Sequence, residues 1–397
     1  NHRNLLDATP VIGDVYDKSD SLNVWVFAGR DQAQTIKQLI DEQFTAQYRI
    51  NVNVSLVQTG LIEATLAKNG PDIALFAGGG DPVNLASRGA IVELSQFDSF
   101  EEVAKRFYPS AMEPYKYNGG VYALPLTQHF PMLFYRSDIF AELGIEPPGT
   151  WDELYRIINI IQGRNMNIGM PDIFATLLYQ NGGRYYNDDL SATEFDTPAA
   201  SNAFTQWTEF YSMYGLPLTY DLYNRFRTGE MPLALADYTF YTQLYVAAPE
   251  IRNLWEMTLV PGTVLEDGTV NNTVVGGGGQ AAIMMHTCKN KEAAWTFLDW
   301  FTSDKAQADY GNLIEARLGV IGRYPTANRE AFKLLPTSIK LKNAIIEQWE
   351  RVEELPQIPA SYYVSRNLTN AFRRVQYYYE NPRHTLHIYN RYINEEI

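Results

Sequence analysis

Leu22-Asn23-Val24-Trp25-Val26-Phe27-Ala28-Gly29-Arg30-Asp31 decides how the folded part of this chain begins. A short apolar run ends in a glycine turn, and an amphipathic stretch follows with Ile36, Leu39, Ile40 and Phe44 at helical spacing. Val52-Asn53-Val54-Ser55-Leu56-Val57 then supplies a second β-type run. Strand, turn, helix and strand in that order make a βαβ unit, so an α/β fold is expected. The polar, aperiodic residues 1–20 ahead of it read as an N-terminal arm.

Working outward, Pro71-Asp72-Ile73-Ala74-Leu75-Phe76 is a buried-type strand that runs into Ala77-Gly78-Gly79-Gly80-Asp81-Pro82. Those glycines fit either a tight turn or a close approach of backbone and Asp81 to a ligand at the carboxyl end of a parallel strand. Gly119-Gly120 sits in a hairpin pattern, and Pro125 and Pro131 forbid continuous central pairing through 125–131, which predicts a bend or a crossing there. Helices are expected over 137–143, ended by Gly144, and from Thr150, where Thr150 and Glu153 form a capping-box pattern. Phe204, Trp207, Phe210 and Tyr211 recur at helical spacing and read as core. Leu233–Tyr238 is a short strand followed by aromatics. Val274–Met284 reads as one strand loosened by Gly276-Gly277-Gly278-Gly279. Helical pattern dominates the last hundred residues.

With 397 residues the chain is long enough for two cores, since single cores stop growing near about 250 residues. The 32 Lys and Arg against 46 Asp and Glu leave a formal charge of −14, which disfavours nucleic acid and anionic lipid as partners. Aromatic residues reach 13%, with 27 tyrosines, and such rings offer the flat apolar face and polar edge that suit a sugar as well as a core. A single cysteine, Cys288, excludes an intrachain disulfide framework. No apolar run reaches membrane-spanning length and no signal-peptide pattern opens the chain, which fits either a cytosolic protein or a mature, trimmed one.

Enzymatic signatures are missing. His2, His129, His286, His384 and His387 are the only histidines, with no His-Glu-x-x-His pair, no cysteine cluster and no Gly-x-Ser-x-Gly elbow. No Walker or Rossmann spacing is present either, so no cofactor and no metal are expected. Nothing selects Asp81 and Asp237 as an acid and base pair rather than as hydrogen-bond acceptors.

Six stretches carry a resemblance: Pro71–Phe76 with its glycine turn, Gly119–Pro125, Phe134–Phe140, Thr150–Leu154, Gly229–Ala234 and Lys291–Leu298. In their order and spacing they resemble the extracellular solute-binding proteins of family 1, the maltodextrin-binding type of ABC-importer receptor, in the form common in Gram-positive bacteria. The resemblance implies a periplasmic-binding-protein-like fold of two α/β lobes with an interlobe ligand cleft. It places lobe 1 at 21–127 plus 277–321 and lobe 2 at 128–276 plus 322–397, with crossings near 127–131, 272–279 and 319–323.

It further implies ligand contacts from Trp25, Phe27, Arg30, Phe76 and Asp81, from Gln128 and His129 at the first crossing, from Asp237, Tyr238 and Phe240, and from Tyr362 and Tyr363. Arg30, Arg88 or Arg323 could pair with a uronic acid carboxylate. The departures of this sequence from the maltodextrin pattern around 27–31 and 76–81 argue against maltodextrin itself. The function so implied is capture of a carbohydrate, an oligosaccharide, and its delivery to membrane permease subunits. The receptor would be a monomer that performs no chemistry, placed on the cell surface as a lipoprotein, or in the periplasm of a Gram-negative host. A receptor for a peptide or other solute, and a polysaccharide-processing enzyme, are the competing readings.

Overall fold

All of the Leu22–Val26 strand except Asn23 is buried. Leu22, Val24 and Val26 enter one apolar cluster, while Trp25 enters another on the opposite side. A strand covered on both faces belongs in the middle of a sheet flanked by helices. The computed structural model, which describes residues 9–10, 21–58 and 60–397, places it there. The six-stranded order is Thr9–Pro10, Val52–Leu56, Leu22–Val26, Ile73–Gly78, Gln280–Met284 and Leu124–Pro125. Leu22–Val26 is parallel to both of its neighbours, and Gln280–Met284 runs antiparallel beside Ile73–Gly78. Apart from Thr9–Pro10, the sequence-predicted arm 1–20 lies outside the described residues.

Helices Arg30–Leu39, Lys291–Phe301 and Asp304–Leu318 bury Ile36, Phe297, Phe301 and Tyr310 against one face. Helices Leu61–Leu66 and Asp81–Ser87 bury Leu61, Ala64, Leu85 and Ala86 against the other. In Ile73–Gly78 the alternation breaks: Leu75 and Phe76 both enter the first cluster. The pairing register slips between Ala281 and Ile283 on the neighbouring strand, and Phe76 takes φ 66°. This is a β-bulge, with one more residue on this strand than on its partner.

The chain divides into two compact units, Asn1–Gln128 with Gly278–Pro336 and Pro356–Pro359, and His129–Gly277 with Thr337–Leu355 and Ala360–Ile397. The sequence assigned 322–336 to the second lobe and put a crossing at 319–323, but these residues stay in the first unit. Tyr324 holds them there: its ring lies 4.8 Å from that of Tyr310, and its hydroxyl donates to the Leu126 carbonyl at 2.8 Å. Burying that much aromatic surface outweighs the freedom that Gly319 and Gly322 give the backbone.

The second unit has its own sheet, ordered Trp255–Thr258, Pro131–Arg136, Leu233–Asp237 and Ile168–Gly169. Met132, Leu133 and Phe134 are fully buried in it. Helix Trp151–Gln162 starts as predicted, with Thr150 Oγ1 accepting from the Glu153 N–H at 3.2 Å; Glu153 Oε2 accepts from Gly149 rather than from Thr150. Helix Pro198–Ser212 buries Phe204, Trp207 and Phe210, and Trp207 stacks at 4.1 Å on Phe372 of helix Ser361–Tyr378.

The single strand expected over Val274–Met284 is two. Val274–Val275 pairs with Val352–Glu353 in the second unit, and Gln280–Met284 joins the first sheet. A Cβ on Gly279 would overlap the Thr127 carbonyl oxygen, a backbone atom that cannot step aside. We therefore expect Gly279→Ala to force apart the 124–127 and 280–284 segments and to cost about 1–3 kcal/mol, the usual range for overpacking. A urea titration against the parent measures it, and an unchanged midpoint would mean that the approach is not constraining.

Candidate functional site

Parallel strands deliver their following residues to the same edge of a sheet, so Phe27 and Arg30 after Leu22–Val26 emerge beside the turn after Ile73–Gly78. Phe27 is half-buried and Arg30, the first residue of its helix, is exposed. Gly79 takes φ 60°, which only glycine adopts without strain, and the turn ends at Asp81, the first residue of helix Asp81–Ser87. Asp81 is half-buried, and no other described residue donates a hydrogen bond to its carboxyl group. Burial, and next the negative charge of Glu63, push its pKa above the usual carboxylate value. A carboxylate short of donors gains from any ligand that brings hydroxyls.

In the second unit, antiparallel pairing sets Asp237 opposite Pro131, so the residue two before Pro131 arrives at the same end of the sheet as the last residue of Leu233–Asp237. His129 Nδ1 is accordingly paired with Asp237 Oδ2. The other carboxylate oxygen of Asp237 accepts from the Thr239 backbone N–H at 3.0 Å and from its hydroxyl at 2.8 Å. The hydrogen bond to Asp237 raises the His129 pKa; burial opposes the shift, and the charges of Asp237 and Glu354 add to it. Glu354 is buried. A Cβ on Gly276 would overlap its carboxylate, and one on Gly277 would come within 3.2 Å of His129 Cε1. The same segment is tied to helix Phe174–Gln180, because the Val275 N–H donates to Thr176 Oγ1 at 3.0 Å.

Just ahead of that helix stands Asp172, which accepts the Phe174 N–H at 3.0 Å. Asp172 is exposed at the surface, and local desolvation of its carboxyl raises its pKa while the Phe174 N–H opposes the shift. The phenols of Tyr185 and Tyr211 lie within its electrostatic reach, and burial drives both of their pKa values up. Tyr186 hydrogen-bonds with Ser361, the residue before Tyr362. Tyr362 is 80% exposed and Tyr363 half-buried. Phe240, also half-buried, meets the Phe134 ring edge-on at 5.2 Å.

Five expected contact residues sit elsewhere than at an open site. Trp25 is buried because its strand is covered on both faces. The bulge turns Phe76 into the core, with its ring 6.1 Å from Tyr310, 6.2 Å from Tyr324 and 6.5 Å from Phe301. Gln128 is buried with Nε2 donating to Ser110 Oγ at 3.1 Å. Tyr238 is buried, its ring 5.0 Å from Phe130. Arg323 already has a carboxylate: Nε and Nη2 reach the two oxygens of Glu315 at 2.5 and 3.2 Å.

Sequence reasoning passed over Asp172, Tyr185 and Glu354. Asp172 directly before a helix and the Tyr185-Tyr186 pair after Gly182-Gly183 were readable as signals, whereas Glu354 is one acid among 46 Asp and Glu and carries none. Among the described residues no group of three or more His, Cys, Asp or Glu is arranged to hold a metal ion. No described helix is long and apolar enough to cross a membrane.

The family model of bacterial extracellular solute-binding proteins matches residues 29–308, and the chain belongs to that family. Over 221 residues it is 26% identical to a putative binding protein of Brucella abortus, covering 50% of this chain and 51% of that one. Over 268 residues it is 23% identical to the maltotriose-binding protein of Pyrococcus abyssi, covering 62% and 54%. The chain thus spans about half the length of the curated relatives it matches. Among solved structures it resembles the sugar-binding protein MalE of Xanthomonas citri, at TM-score 0.79 and 18% identity over 94% of this chain and 96% of that one. It also resembles an ABC transporter solute-binding protein of Thermotoga lettingae bound with α-D-tagatose, at TM-score 0.70 and 22% identity over 95% and 99%. Those likenesses establish the periplasmic-binding-protein type of α/β fold.

Two tests follow from these placements. Phe76→Ala should lose about 3–5 kcal/mol of stability, as a large core deletion does, while the protein that remains folded keeps its ligand affinity; a selective loss of affinity would return the ring to the site. Asp237→Asn should bring the His129 pKa, followed by NMR, back toward its ordinary value near 6.5. Because that pKa is raised in the folded state, the stabilisation is full below the unfolded value of about 6.5 and is lost as pH rises through the folded one. The parent should therefore exceed Asp237→Asn most at mildly acid pH, and an equal difference at all pH values would exclude the coupling.

Proposed function

We propose that this chain captures a neutral oligosaccharide outside the cytoplasm and hands it unchanged to the permease subunits of an ABC importer. Membership of the extracellular solute-binding family supports the receptor role and the extracellular placement. Relatives described as maltotriose-binding and sugar-binding support a carbohydrate as cargo. In this reading the receptor works as a monomer, is held to the membrane by a lipid in a Gram-positive host, and has no catalytic step.

The observation that carries the choice of cargo is the state of the acids. Asp81 is half-buried with no described residue donating to its carboxyl, and burial disfavours its charge, while the exposed Asp172 accepts one backbone N–H. Sugar hydroxyls supply such donors without adding charge, whereas an anionic ligand would meet repulsion. Phe27, Phe240, Tyr362 and Tyr363 are the ring faces proposed to pack on the sugar, and Arg30, His129 and Asp237 the further polar contacts. The guanidinium of Arg323, satisfied by Glu315, gives no support to a uronic acid as cargo.

Thermal unfolding against neutral and uronic mono- and oligosaccharides and short peptides tests the proposal, because a ligand that binds only the native state raises its apparent stability. A neutral oligosaccharide should give the largest shift, confirmed by calorimetry and recovered intact by chromatography. Stabilisation by peptides alone would sink the carbohydrate reading, and new reducing ends would sink the receptor reading. Asp81→Asn should weaken sugar binding about tenfold or more, the worth of a charged hydrogen bond. The same variant should be the more stable protein at neutral pH, since a raised carboxyl pKa means that stability falls as pH rises through it.

A further inference from the structure

The opposite edge of the first sheet holds a cavity of about 250 Å³. Its apolar wall is Ile62, Leu66, Leu85 and Met285, and Lys68, Arg88 and His286 stand around it. We infer that this cavity is a second ligand site, for a small amphiphilic carboxylate whose apolar body lies on that wall and whose head meets the Lys68, Arg88 and His286 side chains.

Charge is the first argument. The protein carries −14 overall, yet no Asp or Glu lines the cavity. None of the three basic side chains is hydrogen-bonded or ion-paired with another described residue. Arginine's planar fork matches a carboxylate, and a cation without a partner beside apolar surface is where an amphiphilic anion gains most. Lys68 follows helix Leu61–Leu66 in the left-handed conformation that often ends a helix, with φ 59°.

The site is separate from the sugar candidates. Lys68 and Gly70 precede Ile73–Gly78, and Met285, His286 and Thr287 follow the antiparallel Gln280–Met284, in which Met284 pairs with Ile73. Phe27, Arg30 and Asp81 follow the carboxyl ends of their strands. The length of a six-residue strand, about 17 Å, lies between the two edges. Arg88, considered from sequence as a partner for a uronic acid, belongs to this far edge. As to size, a cavity of about 150 Å³ holds benzene, so this one takes a ligand of about ten non-hydrogen atoms.

Octanoate is the probe, with acetate and octanol as controls for charge alone and apolar body alone. By calorimetry the full chain should bind one octanoate with a Kd of about 1 mM or tighter, the affinity expected for about ten atoms. Octanol and acetate should bind at least about tenfold more weakly. Arg88→Gln and Lys68→Gln, both at exposed positions, should each weaken octanoate about tenfold, and Leu66→Asp should abolish its binding by placing a like charge on the wall. Circular dichroism checks that the variants are folded, and the response to the neutral sugar panel should be unchanged in all three. Octanoate binding that is absent, equal to that of octanol, indifferent to the three variants or displaced by sugar would overturn the inference. Because the test reads octanoate directly, its outcome is independent of whether the sugar reading holds.

Discussion

The segment Gly276-Gly277-Gly278-Gly279 is the constraint on which the rest of the structure leans. Its first two residues give room for the Glu354 carboxylate and the His129 ring, and Gly279 lets Gln280–Met284 lie against the Thr127 carbonyl. A side chain at 276 or 279 would meet a buried carboxylate or a backbone atom, neither of which can withdraw cheaply. Glycine is thus retained there against its entropic cost. The chain passes from the second unit to the first within this run.

A second local irregularity works in the same way. A phenylalanine in the left-handed region is costly, and Phe76 is held there because three aromatic rings surround it. The extra residue bends the end of Ile73–Gly78 and starts the glycine turn that sets Asp81 at the sheet edge. Packing in the core therefore determines the exposure of a carboxyl group several residues further on.

Those two places also mark where the sequence stops being readable. Period-two and helical patterns were enough for the βαβ opening, for the Thr150 cap and for the core stripe at Phe204, Trp207 and Phe210, because each depends on neighbours within a few residues. The bulge was not legible: alternation sends Phe76 to the face of Ala74, and only the register against Ala281 and Ile283 reveals the slip. Tyr324 kept 322–336 in the first unit through contacts with Tyr310 and Leu126, which are distant in sequence. Of the candidate residues, Asp237 ends a recognisable strand, His129 lies two residues before one, and Asp81 follows a glycine turn, so their places along the chain were readable. The place of Glu354 was not, since its burial depends on a pairing between Val274–Val275 and Val352–Glu353 that no local pattern announces.

The polar groups of the two units differ in a way that bears on function. Asp237 is well satisfied, by His129 on one oxygen and Thr239 on the other. Asp81 is half-buried, receives no hydrogen bond at its carboxyl from a described residue, and has a raised pKa. At the first position of its helix the charge of Asp81 is favoured by the helix dipole, while partial burial opposes it. In the proposed function, a ligand rich in hydroxyl donors would supply the hydrogen bonds that the Asp81 carboxyl lacks.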